Sequence, residues 1–245
     1  MNLLYEIFSD LPRQGPGDPE STEKAFSFIK NLPPDLHIID VGCGTGQQTL
    51  ELAKLTNSKV IGLDNYQPFL DELKRKADIQ GLSNRIEILN QSMFEMNFES
   101  NYFDIIWSEG AVYIYGFEKA LGDWRKLLKK KGYFVVSEIC WFKENPPIEL
   151  SKFWKNECPF MKSIEENIKM IESKGFNLIS HFKLPESSWW EYLYTPLEAN
   201  IKKLLEKYKG KEDEINQINE VVNEIDMFRK YSPYYGYTFF IMQKN

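Results

Sequence analysis

The sequence predicts an α/β fold built on a doubly wound, mostly parallel sheet. Three observations predict it. Apolar, strand-like runs alternate with amphipathic helical stretches along most of the chain. No internal repeat or low-complexity tract interrupts the alternation. One apolar run ends in an acid and leads through a glycine loop straight into a helix. The 245 residues suit one large α/β domain carrying an insertion. A chain of this size buries roughly 70–75% of its unfolded surface, so its core needs no disulfides.

The elements follow in order. Asp18-Pro19-Glu20 is a helix start, with Asp at the N-cap, Pro at the first helical position and an acid in the first turn. That helix runs to about Lys30 and stops before Pro33-Pro34. His37–Val41 is a short apolar run fit for a buried strand, Thr49–Thr56 a helix, and Lys59–Asp64 a second strand. Pro68–Gln80 is a helix ended by Gly81; Ile86–Asn90 and Phe103–Trp107 are the third and fourth strands. Phe117–Lys130 reads as an amphipathic helix whose basic last turn suits the helix dipole, ended by Gly132. Tyr133–Cys140 is the fifth strand. Trp141–Pro159 reads as irregular, broken at Asn145-Pro146-Pro147. Ser163–Lys174 is a helix and Asn177–Leu184 a strand. Pro196–Tyr208 and Glu212–Tyr231 both carry apolar stripes at helical spacing and form a hairpin separated by Gly210. Tyr235–Gln243 is the final strand. The whole chain, 1–245, is expected to be one domain, with 1–32 as an N-terminal helix or lid and 186–233 as a helical insertion before the last strand.

Composition narrows the function. Thirty basic against 36 acidic residues give a net charge of −6, which speaks against nucleic acid as the main partner. No apolar run approaches the ~20 residues that span a membrane, and the N-terminus lacks a signal peptide's basic start and cleavage site. Cys43, Cys140 and Cys158 are odd in number and far apart, which points to a reducing compartment, hence the cytoplasm. With only His37 and His181 no histidine-rich metal site is expected. Aromatics make up 15%, and they cluster late in the chain.

The chemistry sits in Ile38–Gly46, IIDVGCGTG. Glycines permit positive φ and let a ligand approach the backbone. A dinucleotide site needs G-x-G-x-x-G/A. Here the spacing is G-x-G-x-G, and the sixth position is Gln47. The acid before the loop, Asp40, would repel a pyrophosphate but can accept hydrogen bonds from a cationic amino group. Asp64 ends the second strand, 24 residues after Asp40, where a carboxylate can hold both hydroxyls of a ribose.

At these residues the sequence resembles the class I S-adenosylmethionine-dependent methyltransferases, and most closely those of the ubiquinone/menaquinone-biosynthesis type that act on small molecules. Arg13–Gly17 (RQGPG), Trp107–Ala111 (WSEGA), Ser137-Glu138 with Trp141-Phe142, and Tyr234–Phe240 (YYGYTFF) resemble a bacterial group of such enzymes. The resemblance implies a Rossmann-like, seven-stranded sheet with the last strand antiparallel. It implies that Asp40, Gly42, Gly44 and Gly46 hold the methionine end of the donor and Asp64 the ribose. Asn65 then lies beside the ribose or adenine, Ser92 and Met93 flank adenine, and Ser108 lines the donor site. Many relatives place an acid after the third strand, where this chain has Gln91-Ser92-Met93, so adenine recognition would rest on a hydroxyl and backbone groups. Gln14 and Arg13 belong to a segment able to fold over the donor.

Methyl transfer from a sulfonium is an in-line displacement, so the protein mainly aligns the acceptor and excludes water. A base is needed only where the acceptor must lose a proton. Glu109 and Glu138, ending adjacent strands, are the candidates for it. Asn145-Pro146-Pro147-Ile148 resembles an amide-methyltransferase turn, but it follows the fifth strand and lacks the aromatic, so it reads as a loop breaker. Tyr113, Tyr115, Trp141, Trp190 and Tyr235 are the candidate walls of an acceptor pocket, set between the Ser108–Tyr115 segment and the helical hairpin. The expected activity is transfer of a methyl group from S-adenosylmethionine to the N, O or C atom of a small molecule, leaving S-adenosylhomocysteine, with no metal. The other function class is a non-catalytic module that binds the donor or its product. A homodimer stays open.

Overall fold

In the computed structural model, which describes residues 3–245, the apolar runs become β1 (Ile38–Val41), β2 (Val60–Asp64), β3 (Ile86–Asn90), β4 (Phe103–Glu109), β5 (Leu128–Trp141), β6 (Lys162–Ser163), β7 (Phe176–Lys183) and β8 (Tyr235–Lys244). The sheet order is β3-β2-β1-β4-β5-β8-β7, with the two-residue β6 beside β5. β1 to β5 are parallel, and β8 runs antiparallel between β5 and β7. The expected Rossmann-like sheet, mostly parallel with an antiparallel last strand, is thus borne out, and β6 is an addition to it. β1 and β4 are buried along their whole length, as strands covered on both faces must be.

The helices are α1 (Leu3–Ile7), α2 (Pro19–Ser27), α3 (Gln47–Thr56), α4 (Gln67–Ile79), α5 (Val112–Tyr115), α6 (Phe117–Asp123), α7 (Ile148–Glu157), α8 (Ile164–Ser173), α9 (Ser187–Trp189), α10 (Thr195–Lys207) and α11 (Glu212–Tyr231). Asp18 caps α2 as its sequence predicts, accepting from the Ser21 amide at 2.6 Å. One face of the sheet, with Trp107, Ile139, Tyr237 and Phe239, packs with residues of α2, α10 and α11. The other, with Ile106, Phe134, Val136 and Phe240, packs with α6 and α8. α10 and α11 lie between β7 and β8 in the chain and cross over the first of these faces.

Two expectations are corrected. The helix from Phe117 does not reach Lys130: it ends at Asp123, a 3-10 turn covers Trp124–Lys126, and Leu128 already pairs with Phe103. Trp124 and Leu128 are core residues, and burying both is what turns the chain into the sheet early. The register then shifts before Tyr133 meets Ile105, with Lys131 at φ 62° and Lys129 ion-paired to Asp104 at 2.7 Å. The stretch after Trp141 is not wholly irregular either. Behind Pro147 it forms α7, whose Leu150, Phe153 and Trp154 fall at helical spacing and face inward.

Phe134 is fully buried in β5 and packs against Trp124 and Phe176. Phe134→Ala is expected to cost about 3–5 kcal/mol in unfolding free energy, read from a denaturant titration; a loss under 1 kcal/mol would show that this face is not close-packed.

Candidate active site

The glycine loop joins β1 to α3. Its first two amides, of Gly42 and Cys43, donate to the Leu63 carbonyl at 2.8 and 3.0 Å, which fastens the loop to the end of β2. Gly44 N–H donates to Asp64 Oδ2 at 2.9 Å, and Tyr66 N–H to Oδ1 at 3.0 Å. Gly44 and Gly46 are needed twice over. Their φ values are 54° and 80°, and a Cβ would lie 2.8 Å from Gln14 Oε1 in the first case and 2.1 Å from Leu73 Cδ1 in the second.

A cleft of about 330 Å³ opens over this loop. Gly42, Gly44, Gly46, Asp64, Asn65, Ser92 and Met93 line it, and so does Gln14, whose Oε1 accepts from the Thr45 amide at 2.9 Å. Tyr5 of α1 lines it too, stacked on Tyr66 with centroids 3.8 Å apart. Two expected members are absent from its wall. Asp40 is fully buried behind the loop, where Thr49 Oγ1 donates to it at 2.6 Å and Gln48 Nε2 at 3.4 Å. Burial pushes its carboxyl up to about 7. Asp40 therefore braces β1 against α3. Ser108 is equally buried and donates to the Val41 carbonyl at 2.8 Å.

Glu109 ends β4 and belongs to the lining of the cleft, where three side chains hold it. Its Oε2 accepts from Arg13 Nη2 at 2.7 Å, and its Oε1 accepts from Thr22 Oγ1 and Trp107 Nε1, each at 2.8 Å. Its side chain is out of contact with solvent. Glu138 sits differently. The neighbour of Glu109 across the sheet is Ser137, so alternation turns Glu138 to the opposite face. There its Oε2 has no hydrogen-bond partner among the described residues, and burial pushes its carboxyl up to about 8, opposed by Lys162.

A second cavity, about 150 Å³, adjoins the cleft; Gln14, Gly15, Gly110 and Tyr113 belong to both. It lies between the β4–α5 junction and α7, α9 and α11, with Trp154, Glu157, Trp189, Glu224 and Tyr237 in its wall. Of the expected acceptor-pocket residues only Tyr113 lines it. Tyr115 instead donates to Asp123 Oδ2 at 3.0 Å beneath Lys119. Trp141 packs on Tyr235 from the end of β5. Trp190 is covered by the Arg229 guanidinium at 5.1 Å. Tyr235 is a core residue behind Trp154 and Trp189. His181 is exposed on β7, away from both cavities.

Sequence reasoning missed Tyr5, Trp154, Glu157 and Glu224. Glu224 left a signal. It lies three residues after Val221 and four before Phe228, inside the buried stripe of α11, where an acid is out of place. Tyr5 left none, because a tyrosine in a five-residue helix has no periodicity to break.

Comparison with known proteins agrees with this geometry. The family described as "Methyltransferase domain" matches residues 32–208. A sterol 24-C-methyltransferase of Neurospora crassa is 28% identical over 181 residues, which are 70% of this chain and 47% of that protein. The chain spans about half the length of the curated relatives it matches. A methyltransferase from Geobacter sulfurreducens, solved with S-adenosyl-L-homocysteine, superposes with a TM-score of 0.84 at 17% identity, covering 100% of this chain and 98% of that one. YjhP of Escherichia coli gives 0.85 at 17%, covering 100% of both chains. At that identity these two establish the fold.

The buried Glu138 sets a pH dependence. Its folded-state value of about 8 lies above its ordinary 4.5. The neutral form is therefore favoured by folding, and its contribution is full below the ordinary value and lost as pH rises through about 8. Asp40 adds a slope of the same sign up to about 7. Unfolding free energy should fall between pH 5 and 8, by up to about 1.4 kcal/mol per pH unit for each group. Glu138→Gln should flatten the part above pH 7; an unchanged slope in denaturant titrations would remove Glu138 as its source.

Proposed function

The chain belongs to the methyltransferase-domain family, a class that uses S-adenosylmethionine, and on that premise we propose that it methylates a small-molecule acceptor held in the second cavity. The observation that carries this reading is the continuity of the two spaces: the glycine-loop cleft adjoins, through Gly110 and Tyr113, a cavity walled largely by aromatic residues.

The residues present fit the donor. Gly44 leaves a cradle that a Cβ would fill. Asp64 stands at the cleft wall, its position fixed by two backbone amides. The loop glycines would meet the methionine end, Asp64 the ribose, and Asn65, Ser92 and Met93 the adenine, with Gln14 above. When bound, S-adenosylmethionine supplies a methyl group already activated on a sulfonium. The chain's task is then alignment and exclusion of water. Tyr5, Tyr66 and Phe69 form an aromatic cluster at one side of the cleft, with Tyr5 brought there by α1. The Arg13–Glu109 pair holds the rest of the N-terminal segment down. We read residues 1–32 as a lid over the donor and 186–233 as the wall of the acceptor site, within one domain. The RQGPG, WSEGA and YYGYTFF stretches support a place near the ubiquinone/menaquinone-type enzymes. Three free cysteines and a net charge of −6 favour a cytoplasmic protein without nucleic acid or membrane as partner.

S-adenosylhomocysteine should bind in calorimetry with low-micromolar affinity or better. Asp64→Ala is expected to weaken it by ~1.5–3 kcal/mol, the scale of a hydrogen bond to a charged group. Gly44→Val should abolish it while circular dichroism stays native. A wild-type protein that ignores S-adenosylhomocysteine and binds NAD would sink this reading.

A further inference from the structure

Resting on the reading above, we propose that the second cavity receives an organic ammonium group, so that the acceptor is an amine. Its wall contains no Lys, Arg or His, yet it holds two carboxylates, Glu157 toward the surface and Glu224 within. Among the described residues neither is part of an ion pair. Glu224 is held in place, since Tyr194 Oη donates to its Oε1 at 2.8 Å. Burial raises its carboxyl above the ordinary range, and the neighbouring charge of Glu157 raises it further. The nearby cation Lys162 acts on Glu138 and Cys158, not on Glu224. Two acids facing one small space with no counter-charge form an arrangement that a bound cation relieves.

The rest of the wall is also that of a cation site. Trp189 is fixed by stacking on Phe228, centroids 4.2 Å apart, and lies 5.3 Å from the Tyr237 ring. Trp154 stands edge-on to Tyr235 at 4.9 Å. Aromatic faces together with carboxylates are what organic ammonium groups select. The volume, about 150 Å³, suits a small amine with a short apolar body.

The step balances on these groups. The ammonium of a secondary amine gives its proton to Glu224. The freed nitrogen lone pair bonds the donor's methyl carbon while that carbon's bond to sulfur breaks, its electron pair staying on sulfur. The product is a tertiary ammonium, again facing the carboxylates and the rings.

The test uses full-length protein and two probes differing only in charge: choline and its carbon isostere 3,3-dimethyl-1-butanol. Calorimetry first measures S-adenosylhomocysteine binding; its absence overturns the donor reading and this proposal with it. On the S-adenosylhomocysteine-loaded protein, choline should bind at least about tenfold tighter than the alcohol. Glu224→Gln should lower choline affinity at least about fivefold, leaving the alcohol and S-adenosylhomocysteine unaffected. If S-adenosylhomocysteine binds but choline binds no better than the alcohol, or benzoate binds better than choline, the ammonium proposal falls while the donor reading stands. Unchanged choline affinity in Glu224→Gln would equally overturn it.

Discussion

The site depends on one buried, ion-paired carboxylate. Glu109 stands at the end of the central strand β4, and its two oxygens gather Arg13, Thr22 and Trp107. Arg13 comes from the segment before α2, Thr22 from α2 itself, and Trp107 from the strand. One side chain thus ties the N-terminal region to the sheet at the point where the two cavities meet. Gly17 serves the same junction, since a Cβ there would sit 2.5 Å from the Arg13 guanidinium. Removing one partner of a buried pair strands the other in a low-dielectric setting, which is costlier than never having had the pair. The arrangement therefore commits the N-terminal segment to lie over the cleft.

That commitment is repeated further out. Glu6 of α1 binds Lys207 and Tyr208 at the end of α10, at 2.5 and 2.7 Å, and Asn200 Nδ2 donates to the Ile7 carbonyl at 2.8 Å. Tyr5, one residue earlier, stacks over Tyr66 on the donor side. α1 thus bridges the cleft and the helical hairpin, and Gln14 lines both spaces. The hairpin is joined to the sheet through a π-helical turn at Trp190–Tyr194, a local irregularity that aims Leu193 at the cavity wall and Tyr194 at Glu224.

Much of the fold was legible because its signals are local. The strand–glycine–helix sequence, the Asp18 cap and the apolar stripes of α10 and α11 are fixed by neighbours in the chain. The errors came where distant residues decide. Leu128 looks like the end of a helix until Phe103 is seen beside it. α7 hides behind two prolines because its apolar residues make sense only against the hairpin. The donor side of the site was readable, since its loop is contiguous and glycines advertise backbone geometry. The acceptor side was not, because it is assembled from β4–α5, α7, α9 and α11. Glu109 was found by position but its partners were not, since nothing local announces that Arg13 and Thr22 converge on it.

The roles of the carboxylates are separated by what each one faces. Asp64 lines the cleft, where burial raises its carboxyl against the opposing pull of the two backbone amides that meet it. Glu109 is neutralised by a guanidinium. Asp40 and Glu138 are buried within the fold, where desolvation favours the neutral acid, and neither lines a cavity. Glu224 combines burial, a fixed orientation and an open space before it, and among the described residues it forms no ion pair. In a fold whose donor brings its own activation, a carboxylate so placed is of use to the acceptor rather than to the donor. The same environment that raises its proton affinity lets it hold an ammonium group and then take the proton that keeps the nitrogen from reacting.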